Sequence, residues 1–201
     1  MATLIDYLIQ ITDHRERDFL EYTLAKAVLD LMPVRRVIVA QVIHEVGETR
    51  WFEMVSLDIG GDAKVADPLR VDFSSMKPLE AAPDRWKCLQ TKAQIGVARA
   101  GEHGPRITYI PLISDLSPDM QGVLEIHSAH TLQSADLQTI EQLHHVYCNI
   151  YKLLAYSDRD ALTGLLNRQS LDNSFYSAVL DELGEGRDTA NGKPEDALVA
   201  G

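Results

Sequence analysis

The feature that most constrains the fold is a long stretch of helical periodicity between residues 134 and 158. One series of residues recurs at alternate steps of three and four, namely Leu137, Ile140, His144, Tyr147, Tyr151 and Leu154. A second face of the same helix carries Leu143, Val146, Ile150 and Leu153. A helix that is apolar on two faces needs two partners. We therefore predict that the first series, which follows a heptad-like seam, forms the interface of a homodimer.

The stretches before this helix alternate between helical and extended periods. Helical spacing predicts helices over residues 2–11, 20–31 and 84–97. Alternating or β-branched stretches predict strands over residues 37–46, 51–59, 107–113 and 122–127, with a further short strand near residues 71–73. Two helices, a hairpin, a helix, a second hairpin and a long exit helix describe a mixed α/β (α+β) fold, in which helices cover an antiparallel sheet.

This order of elements resembles the GAF sensor domain, and a PAS-like domain is the nearest alternative. The resemblance covers about residues 14–155, so we predict a GAF-like domain over residues 1–155 that includes the exit helix 134–158. Any pocket is expected between the sheet and the 84–97 helix. Trp86, Tyr109 and His127 are the candidate lining residues, although the same three side chains could equally belong to the core.

The segment after the long helix carries the sharpest local motif. It reads D-A-L-T-G-L-L-N-R and resembles the D-x-L-T-G-L-x-N-R start of GGDEF domains, the family of diguanylate cyclases, with matches at Asp160, Leu162, Thr163, Gly164, Leu165, Asn167 and Arg168. The resemblance implies that Leu165 lies near a guanine pocket. It also implies that the polar residues Asp160, Asn167 and Arg168 brace the turn between a signalling helix and the output domain.

The catalytic groups of such a cyclase are missing from this chain. The family implies GTP as substrate and Mg²⁺ held by acidic residues that follow the motif, together with a Gly-Gly-Asp/Glu-Glu-Phe hairpin. The chain ends at Gly201 before either feature, so we predict that residues 159–201 are the truncated start of a GGDEF domain with a disordered tail. We expect no catalytic residue, no cofactor and no cyclase activity in this chain.

The charge balance argues against two classes of partner. The chain has 30 Asp and Glu against 19 Lys and Arg, which gives a formal charge of -11. Because this charge repels phosphate backbones and anionic lipid, we expect no binding to nucleic acid. No apolar stretch approaches the length of a membrane span and the first residues lack a basic segment, which predicts a cytoplasmic location.

Histidine and cysteine are the residue types most able to form a metal or redox site. His144 and His145 are adjacent, and adjacent helical residues point about 100° apart, so the pair does not predict a metal site. Cys88 and Cys148 fall on different helices with apolar neighbours, which favours buried and inert thiols over a redox pair.

The sequence therefore predicts a regulatory module of a cyclic-di-GMP signalling protein, which controls the dimer geometry of a GGDEF output domain in response to an unknown small molecule. The alternative is a small-molecule-binding GAF module whose dimerisation is incidental. A thiol-dependent redox enzyme of GAF type is a third possibility.

Overall fold

The structure of the chain, a computed structural model, describes residues 2–13, 17–45, 47–61, 63–66, 71–98, 106–113 and 120–157. The chain divides into two units, Met1–Ala155 and Tyr156–Gly201, and the description concerns the first. Its helices are α1 (Leu4–Asp13), α2 (Arg17–Leu31), α3 (Pro83–Thr91) and α4 (Ser134–Ser157). Its strands are β1 (Val34–Glu45), β2 (Glu48–Asp58), β3 (Lys64–Val65), β4 (Lys77–Pro78), β5 (Ile95–Ala98), β6 (Arg106–Ile113) and β7 (Gln121–Ser128).

The described strands form one antiparallel sheet in the order β3-β2-β1-β7-β6-β5, and β4 pairs with β2 beside β3. The hairpin β1–β2 and the pair β6–β7 confirm the two hairpins predicted from sequence. The two hairpins join through β1 and β7, where Val37 faces Ile126 and Ala40 faces Val123. The centre of the sheet therefore brings together residues that are far apart in the chain.

Alternate residues of the strands build two cores on opposite faces of the sheet. On one face, strand residues such as Val37, Val39, Leu124 and Ile126 pack against α1, α2 and α4, and we call this the helical-side core. On the other face, the smaller α3-side cluster consists of Ile38, Ala40, Val42, Trp51, Cys88, Leu89, Ile107, Tyr109 and Val123. The long strands β1, β2, β6 and β7 thus supply both cores through their two-residue period.

A β-bulge in β2 changes which residues face α3. Val39 pairs with Val55 and Ala40 pairs with Glu53, so Met54 has no opposite residue in β1. Met54 and Val55 consequently both pack toward the helical-side core. The alternation is inverted across this extra residue, so Glu53, which precedes it, faces α3 instead of the other helices.

Helix α3 is shorter than the sequence predicted, and a strand takes up the rest of the 84–97 stretch. The helix ends at Thr91 because Lys92 adopts the left-handed conformation, with φ of 50°, and its N–H is bonded to the Leu89 carbonyl. Val97 belongs to β5, where it pairs with Ile107. Edge strands are short, and the three- and four-residue spacing of this stretch does not distinguish one from a helical turn.

The short strand predicted near residues 71–73 is also wrong. Phe73–Ser75 form a single 3₁₀ turn, and the carboxylate of Asp72 accepts a hydrogen bond of 2.9 Å from the Ser74 amide. This hydrogen bond satisfies the Ser74 amide locally, whereas in a strand the amide would need an acceptor on a neighbouring strand.

The residues predicted for a dimer seam lie instead against the domain's own sheet. Ile140, Tyr147 and Tyr151 are buried in the helical-side core, and Leu137 and Leu154 pack against its edge. His144 donates a hydrogen bond of 3.1 Å from Nε2 to the Pro111 carbonyl of β6. A core-facing stripe and a dimer seam have the same spacing, which is why the sequence pattern led to this assignment.

The second face of α4 is divided between the interior and the surface. Leu143 is fully buried and Val146 and Ile150 are partly buried, whereas Leu153 is exposed. Over the described residues, no helix combines the length and the apolar character needed to cross a membrane.

Candidate functional site

A polar cavity lies between the first turn of α3 and the sheet. Its volume is about 310 Å³, and its polar lining consists of Arg36, Glu53, Lys77, Asp84, Arg85, Tyr109, Glu125 and His127. Strand β1 contributes Arg36, β2 contributes Glu53 and β7 contributes Glu125 and His127, so the cavity spans the junction of the two hairpins. The cavity borders the apolar α3-side cluster on the same face of the sheet.

Arg85 ties α3 to two strands of the sheet. Its Nε donates a hydrogen bond of 2.6 Å to Oε2 of Glu125, and its Nη2 donates one of 2.9 Å to Oε1 of Glu53. The side chains of Arg85 and Glu125 are 6% and 8% exposed. Charge-assisted bonds in such a buried setting are the strong ones and hold the guanidinium in a fixed orientation.

Other side chains extend this network on each side. Nε2 of His127 lies 2.5 Å from Oε1 of Glu125, and Nζ of Lys77 donates a hydrogen bond of 3.1 Å to Oε1 of Glu53. The guanidinium of Arg85 also stands 5.9 Å from the centre of the Trp51 ring. The network therefore joins α3, β2, β4 and β7.

The buried Glu125 and the half-buried Glu53 stay ionised in this setting. Burial by itself raises the pKa of Glu125, but the hydrogen bond from His127 and the charge of Arg85 outweigh it, and the pKa lies below its ordinary value. Glu53 behaves in the same way, with Arg85 and Lys77 outweighing burial to lower its pKa. Burial lowers the pKa of Arg85 and the two carboxylates more than restore it, so the net shift is upward.

Three charged groups of the lining are not fully paired, and one of them is Arg36, whose buried Nε has no hydrogen-bond partner among the described residues. Nη1 of Arg85 is buried and has no hydrogen-bond partner among the described residues. A buried donor left unpaired costs about 1–3 kcal/mol. Asp84 also lines the cavity, and the described part of the chain offers its carboxylate neither a hydrogen bond nor an ion pair.

The start of α3 leaves backbone donors open at the same place. The cap residue Ala82 makes no side-chain hydrogen bond, and Pro83 at the first position has no N–H. The amides of Asp84 and Arg85 are therefore the first-turn donors that the helix itself does not satisfy. The arrangement can accept an anionic group at the helix start and a cationic group at Asp84.

The sequence-predicted pocket residues are partly brought together. Tyr109 and His127 line the cavity, whereas Trp86 packs against the α3-side cluster and does not line it. The ionic network around Arg85 was not predicted from the sequence. A usable signal was present in Glu125, an acid in the middle of the apolar strand β7.

The motif residues Asp160 to Arg168 lie outside the residues that the structure describes. The described residues contain no group of three or more His, Cys, Asp or Glu side chains that could hold a metal ion.

The two cysteines belong to different cores. Cys88 lies in the α3-side cluster and donates a hydrogen bond of 3.3 Å to the Ala93 carbonyl, whereas Cys148 lies in the helical-side core. Burial raises the pKa of Cys88 to about 12 and that of Cys148 to about 11. Both thiols are protonated at neutral pH, and the sheet separates them.

Two other depressions on the domain lack a buried ionic network. One, of about 510 Å³, lies between α2 and the end of β2, where Lys26 is paired with Asp30 at an exposed position. The other, of about 460 Å³, lies between α4 and β6 beside His144. Of these three depressions in the described part of the domain, the α3-side cavity combines buried charges with open donors.

Comparisons with known proteins define the fold. No family model and no curated protein matches the chain. Among solved structures, the GAF domain of an Acinetobacter phosphoenolpyruvate-protein phosphotransferase is similar with a TM-score of 0.54 at 15% identity, over 79% of this chain and 95% of that one. Residues 122 to 287 of a methyl-accepting chemotaxis protein are similar with a TM-score of 0.52 at 10% identity, over 76% of this chain and 98% of that one.

The chain accordingly has a GAF-like fold, in which helices cover both faces of a curled antiparallel sheet. This confirms the fold class predicted from the order of elements.

Proposed function

We propose that this domain is a regulatory sensor, located in the cytoplasm, that binds a small molecule in the α3-side cavity. The observation that carries the proposal is the buried ionic network around Arg85, which still has an unpaired donor at Nη1. Buried ion pairs contribute little net stability compared with apolar residues of similar volume. A small domain that retains three cations and three anions around one cavity therefore gains more from them in recognition than in folding.

The strand that carries the cavity also leads to the exit helix. Glu125 and His127 of β7 face the cavity, while Leu124 and Ile126 of the same strand pack in the helical-side core that contains α4. Helix α4 begins at Ser134, only a few residues after β7 ends at Ser128. A ligand that shifts β7 would therefore move the start of α4, and this is the route by which we propose that binding is transmitted.

We further propose that the module serves cyclic-di-GMP signalling. The support is the motif from Asp160 to Arg168, which resembles the start of a GGDEF domain. In this proposal the sensor forms a homodimer and sets the geometry of the two output domains, which would use GTP and Mg²⁺. Such an enzyme joins two nucleotides, so the relative placement of the subunits controls its rate.

Tryptophan fluorescence offers a direct test of ligand binding. The chain has two tryptophans, Trp51 and Trp86, and both pack on the α3 side of the sheet. A library of small metabolites is titrated into the full chain, and we expect at least one to change the emission in a saturable, one-to-one manner. A library in which no compound does so would overturn the proposal.

The structure provides a matched pair of lysine variants for this test. Lys77→Met removes a cation that lines the cavity, and Lys26→Met removes one on the other face of the sheet. Both lysines are partly exposed and paired with one carboxylate. We expect Lys77→Met to change the affinity several-fold and Lys26→Met to leave it unchanged. Equal affinities for both variants and the parent would remove the α3-side cavity as the site.

The signalling part of the proposal is tested separately. The gene is read beyond the codon for Gly201, where we expect metal-binding acids and a Gly-Gly-Asp/Glu-Glu-Phe hairpin. Sedimentation of the full chain is expected to give a dimer. A stop codon after Gly201 or a strictly monomeric chain would contradict this part and leave the sensor proposal standing.

A further inference from the structure

We infer that the α3-side cavity recognises a small zwitterion of the α-amino-acid class, with its carboxylate at the start of α3 and beside Arg85 and its ammonium group at Asp84. The inference rests on the proposed function of the same cavity and specifies the ligand that it takes. Four observations carry it, namely size, open anion donors, an unpaired acid and charge balance.

The size of the cavity is suited to a small molecule. Its volume of about 310 Å³ is at the lower end of small-molecule sites. The ionic network of Arg85, Glu53 and Glu125 occupies the floor and joins α3 to the sheet, so the cavity does not extend deeper. A dinucleotide or a tetrapyrrole does not fit this volume, whereas an amino acid does.

The anion end of the site is formed by α3 and Arg85 together. The amides of Asp84 and Arg85 are open because Ala82 makes no capping bond and Pro83 has no N–H. Arg85 adds a second, independent donor, since Nη1 has no partner among the described residues while the side chain is only 6% exposed. A carboxylate oxygen at the helix start can accept from the amides, and a shift of the Arg85 side chain toward the cavity would let it accept from Nη1 as well.

The cation end of the site is Asp84. Its carboxylate lines the cavity on the residue next to Arg85 and has no partner in the described part of the chain. The carboxylate and the ammonium group of an α-amino acid are carried on one carbon atom. The open amides of the first turn of α3 and the carboxylate of Asp84 belong to the same helical turn, so a ligand with both charges on one carbon atom can contact both.

The charge of the lining favours a ligand without net charge. Arg36, Lys77 and Arg85 supply three positive charges, and Glu53, Asp84 and Glu125 supply three negative ones, while His127 is bonded to Glu125. A simple carboxylate or a simple amine would leave one charge uncompensated beside the buried Arg85–Glu125 pair, which is costly. A zwitterion brings both charges and keeps the balance.

The test is a calorimetric titration of the full chain with each of the twenty common L-amino acids. For any that binds, the matched acid without the amino group and the matched amine without the carboxylate are titrated next. We expect at least one amino acid to bind and both analogues to bind at least about tenfold more weakly, a factor that corresponds to about 1.4 kcal/mol. An analogue that binds as tightly as its parent amino acid would overturn the inference.

Asp84→Asn tests the ammonium contact without disturbing the buried network. We expect this variant to weaken the amino acid about tenfold, or by about 1.4 kcal/mol, and to leave the weak binding of the deaminated acid unchanged. Glu80→Gln is the matched control, because Glu80 is an exposed acid four residues earlier that does not line the cavity. Equal losses in both variants would contradict a role for Asp84.

The outcome also separates this inference from the sensor proposal. If no amino acid binds but another metabolite changes the tryptophan emission in a Lys77-dependent manner, the zwitterion inference is wrong and the sensor proposal stands. If neither the amino acids nor the metabolite library bind, both are wrong.

Discussion

On one face of the sheet, β7 presents Leu124 and Ile126 to three helices, and on the other face the same strand presents Glu125 and His127 to a single helix. The first face is closed by apolar contacts, and its buried acid Glu21 accepts a hydrogen bond of 3.2 Å from the Tyr147 hydroxyl. The second face is half apolar and half ionic. One face is therefore stabilised almost entirely by apolar packing, whereas the other combines apolar packing with an ionic network that, in our proposal, also binds a ligand.

The largest effect is expected from removing the centre of the ionic network. Arg85→Met leaves Glu125 buried without its cationic partner and leaves the half-buried Glu53 with Lys77 alone, and breaking a buried pair in this way costs about 3–5 kcal/mol. The free energy of unfolding is measured by urea denaturation. The control is the double variant Arg85→Met with Glu125→Met, which we expect to recover part of the loss. A loss below about 1 kcal/mol for the single variant would show that the charges are screened.

A core truncation on the opposite face should cost nearly as much but act only on stability. Leu124→Ala removes a fully buried side chain from the helical-side core, and such changes cost about 2–5 kcal/mol. We expect folded protein carrying this change to bind ligand with the affinity of the parent. If the two faces are not functionally separate, the affinity per folded molecule will fall as well.

A smaller effect is expected from the polar contact inside the helical-side core. Tyr147→Phe removes the hydroxyl that donates to Glu21 and keeps the ring in place. Leaving a buried acceptor without this donor costs about 1–3 kcal/mol. Thermal unfolding followed by circular dichroism measures the loss, and Tyr22→Phe on the partly buried side of α2 is the control. An unchanged transition would mean that Glu21 is satisfied equally well without Tyr147.

The stability contributed by the α3-side ionic network should depend on pH, unlike that contributed by the apolar contacts of the helical-side core. The pKa values of Glu53 and Glu125 are lowered in the folded protein, so the network stabilises the fold above the unfolded carboxyl pKa of about 4.3. This contribution is lost as the pH falls through the folded pKa values. Urea midpoints measured from neutral pH downward should fall more steeply for the parent than for the Arg85→Met, Glu125→Met double variant. Parallel curves would contradict an ionic role for the network.

The sequence predicted the helices and hairpins well where a single period ran over a whole element. The apolar spacing gave α1, α2 and α4, and the β-branched stretch gave β1. Strand β5 was missed because Ala93 and Val97 happen to continue the spacing of α3, while the chain reverses at Lys92. The left-handed conformation of Lys92 ends α3, and hydrophobic periodicity carries no information about the conformation of a single residue.

The candidate site was much harder to predict than the fold. Tyr109 and His127 were identified because polar or aromatic residues in a strand next to a helix suggest a pocket. The contact between Arg85 and Glu125 joins residues forty positions apart and depends on the packing of α3 on β7. The seam on α4 was assigned to a dimer because the same apolar spacing suits a core, and only the buried positions of Tyr147 and Tyr151 distinguish the two.

The bulge at Met54 has a consequence for aligning this chain with its relatives. Upstream of Met54 the odd-numbered residues of β2 face α3, and downstream the even-numbered ones do, as Glu53 and Ser56 illustrate. An ungapped alignment to a protein with a regular strand would therefore match cavity residues with core residues on one side of Met54. A gap of one residue restores the correspondence, and a single inserted or deleted codon is enough for evolution to exchange the lining of the cavity for apolar side chains.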